Sequence, residues 1–359
     1  CLQIGNEVNG IKIRLFDLKY VDEEMTSYND SSSGKGLDSY LVDDQGNVIK
    51  DFKGRSIRDY SKALEIDSEN IDKYFDRAIS YIRLDYYLEA INDYTRILEI
   101  EPKNVNAYLN RGALEFSNKD LGDYKAALDD FIKVLTIEPK NKNAYLYSGR
   151  CKIKLLDFIG AIDDFIKVID LDPDHSLAFS MRGFAKEKLG DFNDAINDYN
   201  KAISLNPKVD FAYLNRAALK AKAGDHQSAI DDYSKVISID PETKLAYGKR
   251  GDSKKALMDF DNAAIDYNQQ IKFNLKSDCS YFGLGEIASK RGNIREAVRL
   301  YTIAIRFNKK NSIYYYKRAL ANVKQNNYQA GINDFKKVIK LEPNDSDIHI
   351  KAKKALEEA

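Results

Sequence analysis

Apolar and small positions recur along this chain with a period of 34 residues. In Ser228–Pro241, Ala229, Tyr233 and Val236 are spaced i, i+4 and i+7 and therefore share one face of a helix. The same order returns as Ala90, Tyr94, Ile97; Ala127, Phe131, Val134; Ala161, Phe165, Val168; and Ala195, Tyr199, Ala202. Prolines at 102, 139, 173, 207, 241 and 343 close most copies, because proline lacks the N–H and clashes with the preceding turn. The last step spans three periods, and the two absent prolines fall at Leu275 and Lys309. An insertion in SNKDLGDY widens the step between Pro102 and Pro139. Ahead of each such helix lies another helical stretch. It opens with an aromatic residue and carries Gly or Ala four residues on, as in Tyr108–Gly112, Tyr145–Gly149 and Tyr213–Ala217. The turn between the two helices reads Gly122-Asp123-Tyr124 or Gly190-Asp191-Phe192. The pentapeptide AYLNR occurs at Ala107–Arg111 and again at Ala212–Arg216, which is the same helix start three periods later.

A helical pair of this length with aromatic, small, small, aromatic and Pro in order resembles the tetratricopeptide repeat. The resemblance covers eight copies: 71–104, 105–141, 142–175, 176–209, 210–243, 244–277, 278–311 and 312–345. It implies an all-α fold, a right-handed superhelical solenoid of helix-turn-helix repeats. It also implies a non-enzymatic scaffold for protein–protein interaction. Some positions depart from the family pattern. Trp never fills the first aromatic position, Gln270 replaces a core aliphatic residue, and Gly331 replaces the small Ala.

The ends differ from the repeats. SDIHIKAKKALEEA (346–359) opens on a capping Ser and predicts a C-terminal helix that covers the last repeat. Residues 1–36 read as a tether with a strand in GIKIRLF. Residues 37–70 read as a hairpin around Gly46-Asn47 followed by an orphan capping helix.

Comparing copies within the chain exposes one paired position. Arg77, Arg111, Arg182, Arg216, Arg250 and Arg318 share one column, and Asp93, Asp130, Asp198, Asp232, Asp266 and Asp334 share another. In the seventh repeat both become Leu, at 284 and 300, and in the third Ser148 stands before Asp164. Joint replacement predicts contact, because a lone, partly buried charge is costly. Asp129–Lys133, Asp163–Lys167 and Asp231–Lys235 have the i, i+4 spacing of helix-surface ion pairs, worth ~0.3 kcal/mol each.

Composition narrows the function. The chain holds 56 basic and 56 acidic residues, so it has no overall electrostatic case for a nucleic-acid binder. The distribution is uneven: residues 1–70 hold 9 basic and 14 acidic side chains, and residues 244–345 hold 20 and 10. An array with one acidic and one basic end could join copies head to tail, or the basic repeats could take up a polyanion. Cys1, Cys151 and Cys279 make neither a disulfide framework nor a zinc pattern, and the latter two are expected to be free and buried. His175, His226 and His349 lie in separate repeats or at the end, too far apart for one site. No phosphate loop, nucleophile elbow or metalloprotease motif occurs, so neither catalytic residues nor metal or other cofactors are expected.

In the family this chain resembles, first helices line a concave groove for peptides or helical segments. The matching positions here are Phe75, Ile79, Leu109, Phe116, Leu146, Phe184, Phe211, Leu214, Phe282 and Tyr316. Interleaved among them are Arg150, Lys188, Lys222, Lys290 and Lys324. The expected ligand is a protein segment with bulky apolar residues and acidic ones between them. The Lys/Asn set that grips a C-terminal carboxylate in some family members is not found. Cys1 resembles the lipid-bearing first residue of a mature bacterial lipoprotein. That resemblance implies attachment to the cell envelope, with membrane contact only through the lipid. A cytosolic scaffold or co-chaperone of the same fold is the other reading.

Overall fold

The computed structural model describes residues 55–117, 122–344 and 346–357, together with four two-residue strands upstream. Those strands form two antiparallel pairs. β1 (Glu7–Val8) pairs with β2 (Ile11–Lys12), and β3 (Leu41–Val42) pairs with β4 (Val48–Ile49), Leu41 opposite Ile49. The Gly46-Asn47 turn of the expected hairpin lies outside the described residues. Most of GIKIRLF and all of the tether SYNDSSSGKG lie outside the described residues.

Eighteen helices follow among the described residues. The orphan helix α1 (Arg55–Ile66) precedes four helix pairs: α2 (Ile71–Arg83) with α3 (Tyr87–Ile100), α4 (Val105–Ser117) with α5 (Tyr124–Ile137), α6 (Lys142–Lys154) with α7 (Phe158–Leu171), and α8 (Ser176–Leu189) with α9 (Phe192–Leu205). Four more pairs follow: α10 (Asp210–Lys222) with α11 (His226–Ile239), α12 (Lys244–Ala256) with α13 (Phe260–Phe273), α14 (Asp278–Lys290) with α15 (Ile294–Phe307), and α16 (Ser312–Lys324) with α17 (Tyr328–Leu341). The terminal helix α18 (Asp347–Glu357) completes the chain. The chain divides between Val209 and Asp210 into two units of four repeats each, at the junction expected between repeats four and five.

Each repeat is built by the same local chemistry. One residue between the paired helices has positive φ: Asp85, Gly122, Leu156, Gly190, Gly224, Met258, Gly292 and Asn326 in turn. The following Asp then caps the second helix, as Asp123, Asp157, Asp225 and Asp259 accept from the N–H three residues on. Small residues in the first helix admit the aromatic of the second. A Cβ on Gly149 would lie 2.8 Å from the Phe165 ring, and one on Gly285 would lie 2.7 Å from Tyr301. Ala127, Phe131, Val134 and their counterparts are fully buried. The tyrosine opening the first helix also ties down the preceding turn. The hydroxyls of Tyr108 and Tyr145 donate to the carbonyls of Pro102 and Pro139 at 3.3 and 3.2 Å. Tyr315 makes the same bond to Lys309, where proline is absent.

The Arg–Asp columns are in contact. In all six repeats that hold both, the Arg Nε and Nη2 donate to the two carboxylate oxygens at 2.6–2.9 Å. Lysines one turn further along the first helix join the column carboxylates of repeats three to six: Lys152 to Asp164, Lys186 to Asp198, Lys220 to Asp232 and Lys254 to Asp266, at 2.7–2.9 Å. Ser148 donates to Asp164 at 2.6 Å, so the third repeat replaces Arg by Ser plus Lys. In the seventh repeat Leu284 packs against the cluster containing Leu300. The remaining guanidinium nitrogen often reaches back one repeat: Arg111 to Thr95, Arg250 to Ser234 and Arg318 to Thr302. Arg77 does the same to Ser61 of α1, whose Leu64 is buried on the first repeat. At the other end Ser346 caps α18, and Ala352, Ile348 and Leu356 cover the last repeat, as expected.

The i, i+4 pairs on the second helices do not form. Asp129–Lys133, Asp163–Lys167 and Asp231–Lys235 are all exposed, and none closes to ion-pair distance. In full solvent such a contact gains too little to fix two flexible side chains.

Candidate functional site

Within each unit the first helices of successive repeats pack closely on one another: α4 with α6 and α6 with α8, then α10 with α12 and α12 with α14. No two second helices do so among the closely packed pairs. First helices therefore line the inner side of each unit, and the expected groove residues lie on them.

In the first unit the structure sorts these residues by depth. Phe75, Leu109 and Phe184 are half-buried, whereas Ile79 and Lys188 are exposed. Phe116, Leu146 and Arg150, expected as contact groups, are instead buried. The cause is aromatic packing. The Arg150 guanidinium lies over Phe116 at 4.9 Å and Tyr147 at 5.5 Å, and Phe116 meets Tyr124 edge-on at 5.7 Å. These three support the inner surface rather than present themselves on it. Nearer solvent, the Lys188 ammonium sits 4.5 Å from the Phe184 ring centre, a cation–π pair on the inner face. Glu187 beside it accepts from the Tyr199 hydroxyl at 3.0 Å and from Lys188 at 3.4 Å. Burial, and then the Glu187 charge, push the Tyr199 hydroxyl far above its ordinary pKa, so it stays a donor.

The second unit presents Phe211, Leu214, Phe282 and Tyr316 half-buried, with Lys222, Lys290 and Lys324 exposed. Phe282 stacks on Tyr314 at 4.7 Å, and Tyr316 leans on Phe335 at 5.9 Å. Between these aromatic ends lies a charged stretch that the sequence reading missed. The Glu286 carboxylate accepts from Lys255 at 2.6 Å and pairs with Lys317 at 3.2 Å. Burial pushes its pKa up, but the Lys255 hydrogen bond and the two lysine charges outweigh this and hold it below the usual carboxylate range. Asp252 accepts from the Tyr267 hydroxyl at 2.8 Å. Asp252 and Glu286 occupy the first-helix position held by Ile79 and Phe184 in other repeats. That change of character down one column was the available signal.

Cys151 is buried as expected, and burial pushes its thiol up to about 12. Cys279 is exposed, contrary to expectation. It is the second residue of α14, in the column of Asp72, Asn106 and Ile313, where the first helical turn faces solvent. Cys1 lies outside the described residues. Among the described residues no cluster of His, Cys, Asp and Glu could hold a metal ion, and no helix is long and apolar enough to cross a membrane.

The tetratricopeptide repeat family matches residues 73–104, 116–141, 176–209, 212–243 and 282–347, a little over half of the chain. The chain belongs to the tetratricopeptide repeat family, and so to the class of all-α protein-interaction scaffolds. A tetratricopeptide repeat protein from Parabacteroides merdae is 18% identical over 70% of this chain and 98% of its own, with a TM-score of 0.53. A chain from the APC/C hetero-tetramer Cut9–Hcn1 is 16% identical over 84% of this chain and 58% of its own, with a TM-score of 0.55. Both show the same fold. The protein MamA is 25% identical over 49% of this chain and 94% of its own, with a TM-score of 0.42. No curated protein sequence matches the chain.

Proposed function

We propose that the inner face of the first helices takes up a protein segment carrying bulky apolar side chains with carboxylates between them. The supporting observation is the Phe184–Lys188 pair, a half-buried ring with an ammonium 4.5 Å above it. The second unit carries Phe282 and Tyr316 half-buried, with Lys290 and Lys324 exposed on the same helices. Apolar anchors supply affinity, and the lysines set register and association rate. A random peptide library displayed against the purified chain tests this. Enrichment of apolar–acidic peptides is expected, with binding lost in a folded Phe184→Glu or Tyr316→Glu variant. Enrichment of basic peptides, or full binding by both variants, defeats the reading.

We also propose that the scaffold acts in assembly of a cell-envelope complex, held there by lipid on Cys1. The intact mass of the N-terminal peptide from native cells decides this part. Acyl mass on Cys1 supports it, and an unmodified Cys1 preceded by further sequence replaces it with a cytosolic scaffold.

A further inference from the structure

The second helix of the third repeat is apolar on both sides. α7 turns Ala161, Phe165 and Val168 into the core. Away from that core face it carries Ile159 and Ile166 on one flank, 66% and 36% exposed, and Leu171 on the other, 41% exposed. Ile132 of α5 holds the position of Ile166 and is 46% exposed. The other repeats fill that position with Thr95, Asn200, Ser234, Asn268, Thr302 and Lys336. The two isoleucines therefore sit on neighbouring repeats of one unit, at equivalent places.

Each isoleucine is framed by an acid and a base in a fixed order. Asp163 precedes Lys167 by one turn beside Ile166, and Asp129 precedes Lys133 beside Ile132. All four charges are exposed, and none makes an ion pair among the described residues. An acid one turn ahead of a base is self-complementary when two such helices lie antiparallel, since each acid then faces the other helix's base. A two-fold axis makes this pairing reciprocal, which is the requirement for an isologous interface.

We infer that this outer face of the second and third repeats docks on the same face of a second copy of the chain. The two-fold axis lies in the interface, perpendicular to the helices and level with Phe165. It lays α7 antiparallel on α7 and α5 antiparallel on α5. Asp163 then faces Lys167 of the second copy, and Asp129 faces its Lys133. Ile166 and Ile132 meet their own counterparts near the axis. This surface is separate from the inner face of the first helices, so a groove could stay open in both copies.

Sedimentation velocity on the full chain tests the inference. The wild type is expected to run as a closed dimer whose mass stops at two chains. Ile166→Glu should weaken dimerisation about a hundredfold with an unchanged helical spectrum, because symmetry removes the contact from both copies. Asp163→Lys should weaken it as well, by setting Lys against Lys. Adding Lys167→Asp should restore the dimer, since the reciprocal pairs re-form with signs exchanged. A monomer at every attainable concentration overturns the inference. So does mass that grows beyond two chains, a dimer indifferent to Ile166→Glu, or a double reversal no better than the single.

Discussion

Leu156 and Met258 occupy a turn position where their own side chains are a liability. The residue linking first to second helix has positive φ in all eight repeats, and four repeats use glycine there. Leu156 has φ 64° and Met258 has φ 63°, yet they are 74% and 77% exposed. An L-residue in the left-handed region costs about 1–2 kcal/mol. Replacement by glycine removes that cost but frees the unfolded backbone, at about 0.5–1 kcal/mol. Little burial is lost at such exposure, so Leu156→Gly and Met258→Gly should each stabilise by about 0.5–1 kcal/mol. The sites share no partner, and their effects should add to about 1–2 kcal/mol. Urea unfolding followed by far-ultraviolet circular dichroism reads this as a higher midpoint at unchanged slope. Leu156→Ala is the control, because it keeps the strained backbone and should gain nothing. A lower midpoint for Leu156→Gly, or an equal rise for Leu156→Ala, would refute the assignment of strain.

Three further outcomes follow from named contacts. Leu300→Asp alone should cost about 3–5 kcal/mol by leaving a buried carboxylate without a partner, and adding Leu284→Arg should recover most of it in a denaturation cycle. Glu115 takes the place of the lysines that join the Asp carboxylates in repeats three to six. Burial first, and then the Asp130 charge, raise its pKa from 4.5 to about 7. A carboxyl raised on folding holds its proton longer in the native state, so its contribution to stability falls as pH rises from 4.5 to about 7. Glu115→Lys should abolish that dependence in melts taken across this range. Maleimide labelling followed by peptide mapping should modify Cys279 in the native protein, and Cys151 only after unfolding.

The fold was legible because the same residues recur at a fixed spacing eight times. One helix pair read alone would have been ambiguous, but Tyr, Gly, Ala, Phe and Pro in a shared register were not. The Arg–Asp contacts were legible for a related reason. The chain carries its own comparison, and Leu284 with Leu300 shows both members changing together. Depth was not legible. Phe116, Leu146 and Arg150 stand in groove columns but are buried, and Tyr124 and Tyr147 enclose Phe116 while Tyr147 lies against Arg150; those rings come from a neighbouring helix and from the column beside the groove. The Lys255–Glu286–Lys317 contact joins three repeats, a distance at which spacing along one helix gives no guidance. Cys279 was misplaced because residue type suggested burial, whereas its place in the first helical turn decided exposure.

The arginines that reach back to a hydroxyl one repeat earlier have a mechanical consequence. In the second unit Arg250 fastens to Ser234 and Arg318 to Thr302, but Leu284 has no group with which to hold Asn268. That junction is bridged instead by the buried Gln270, whose amide oxygen accepts from the Ser280 hydroxyl with Gly248 making room for it, and by the Lys255–Glu286 ion pair. A chain drawn out from its C-terminal end would therefore yield in blocks. Repeats seven and eight would peel away together before tension reached the fifth and sixth.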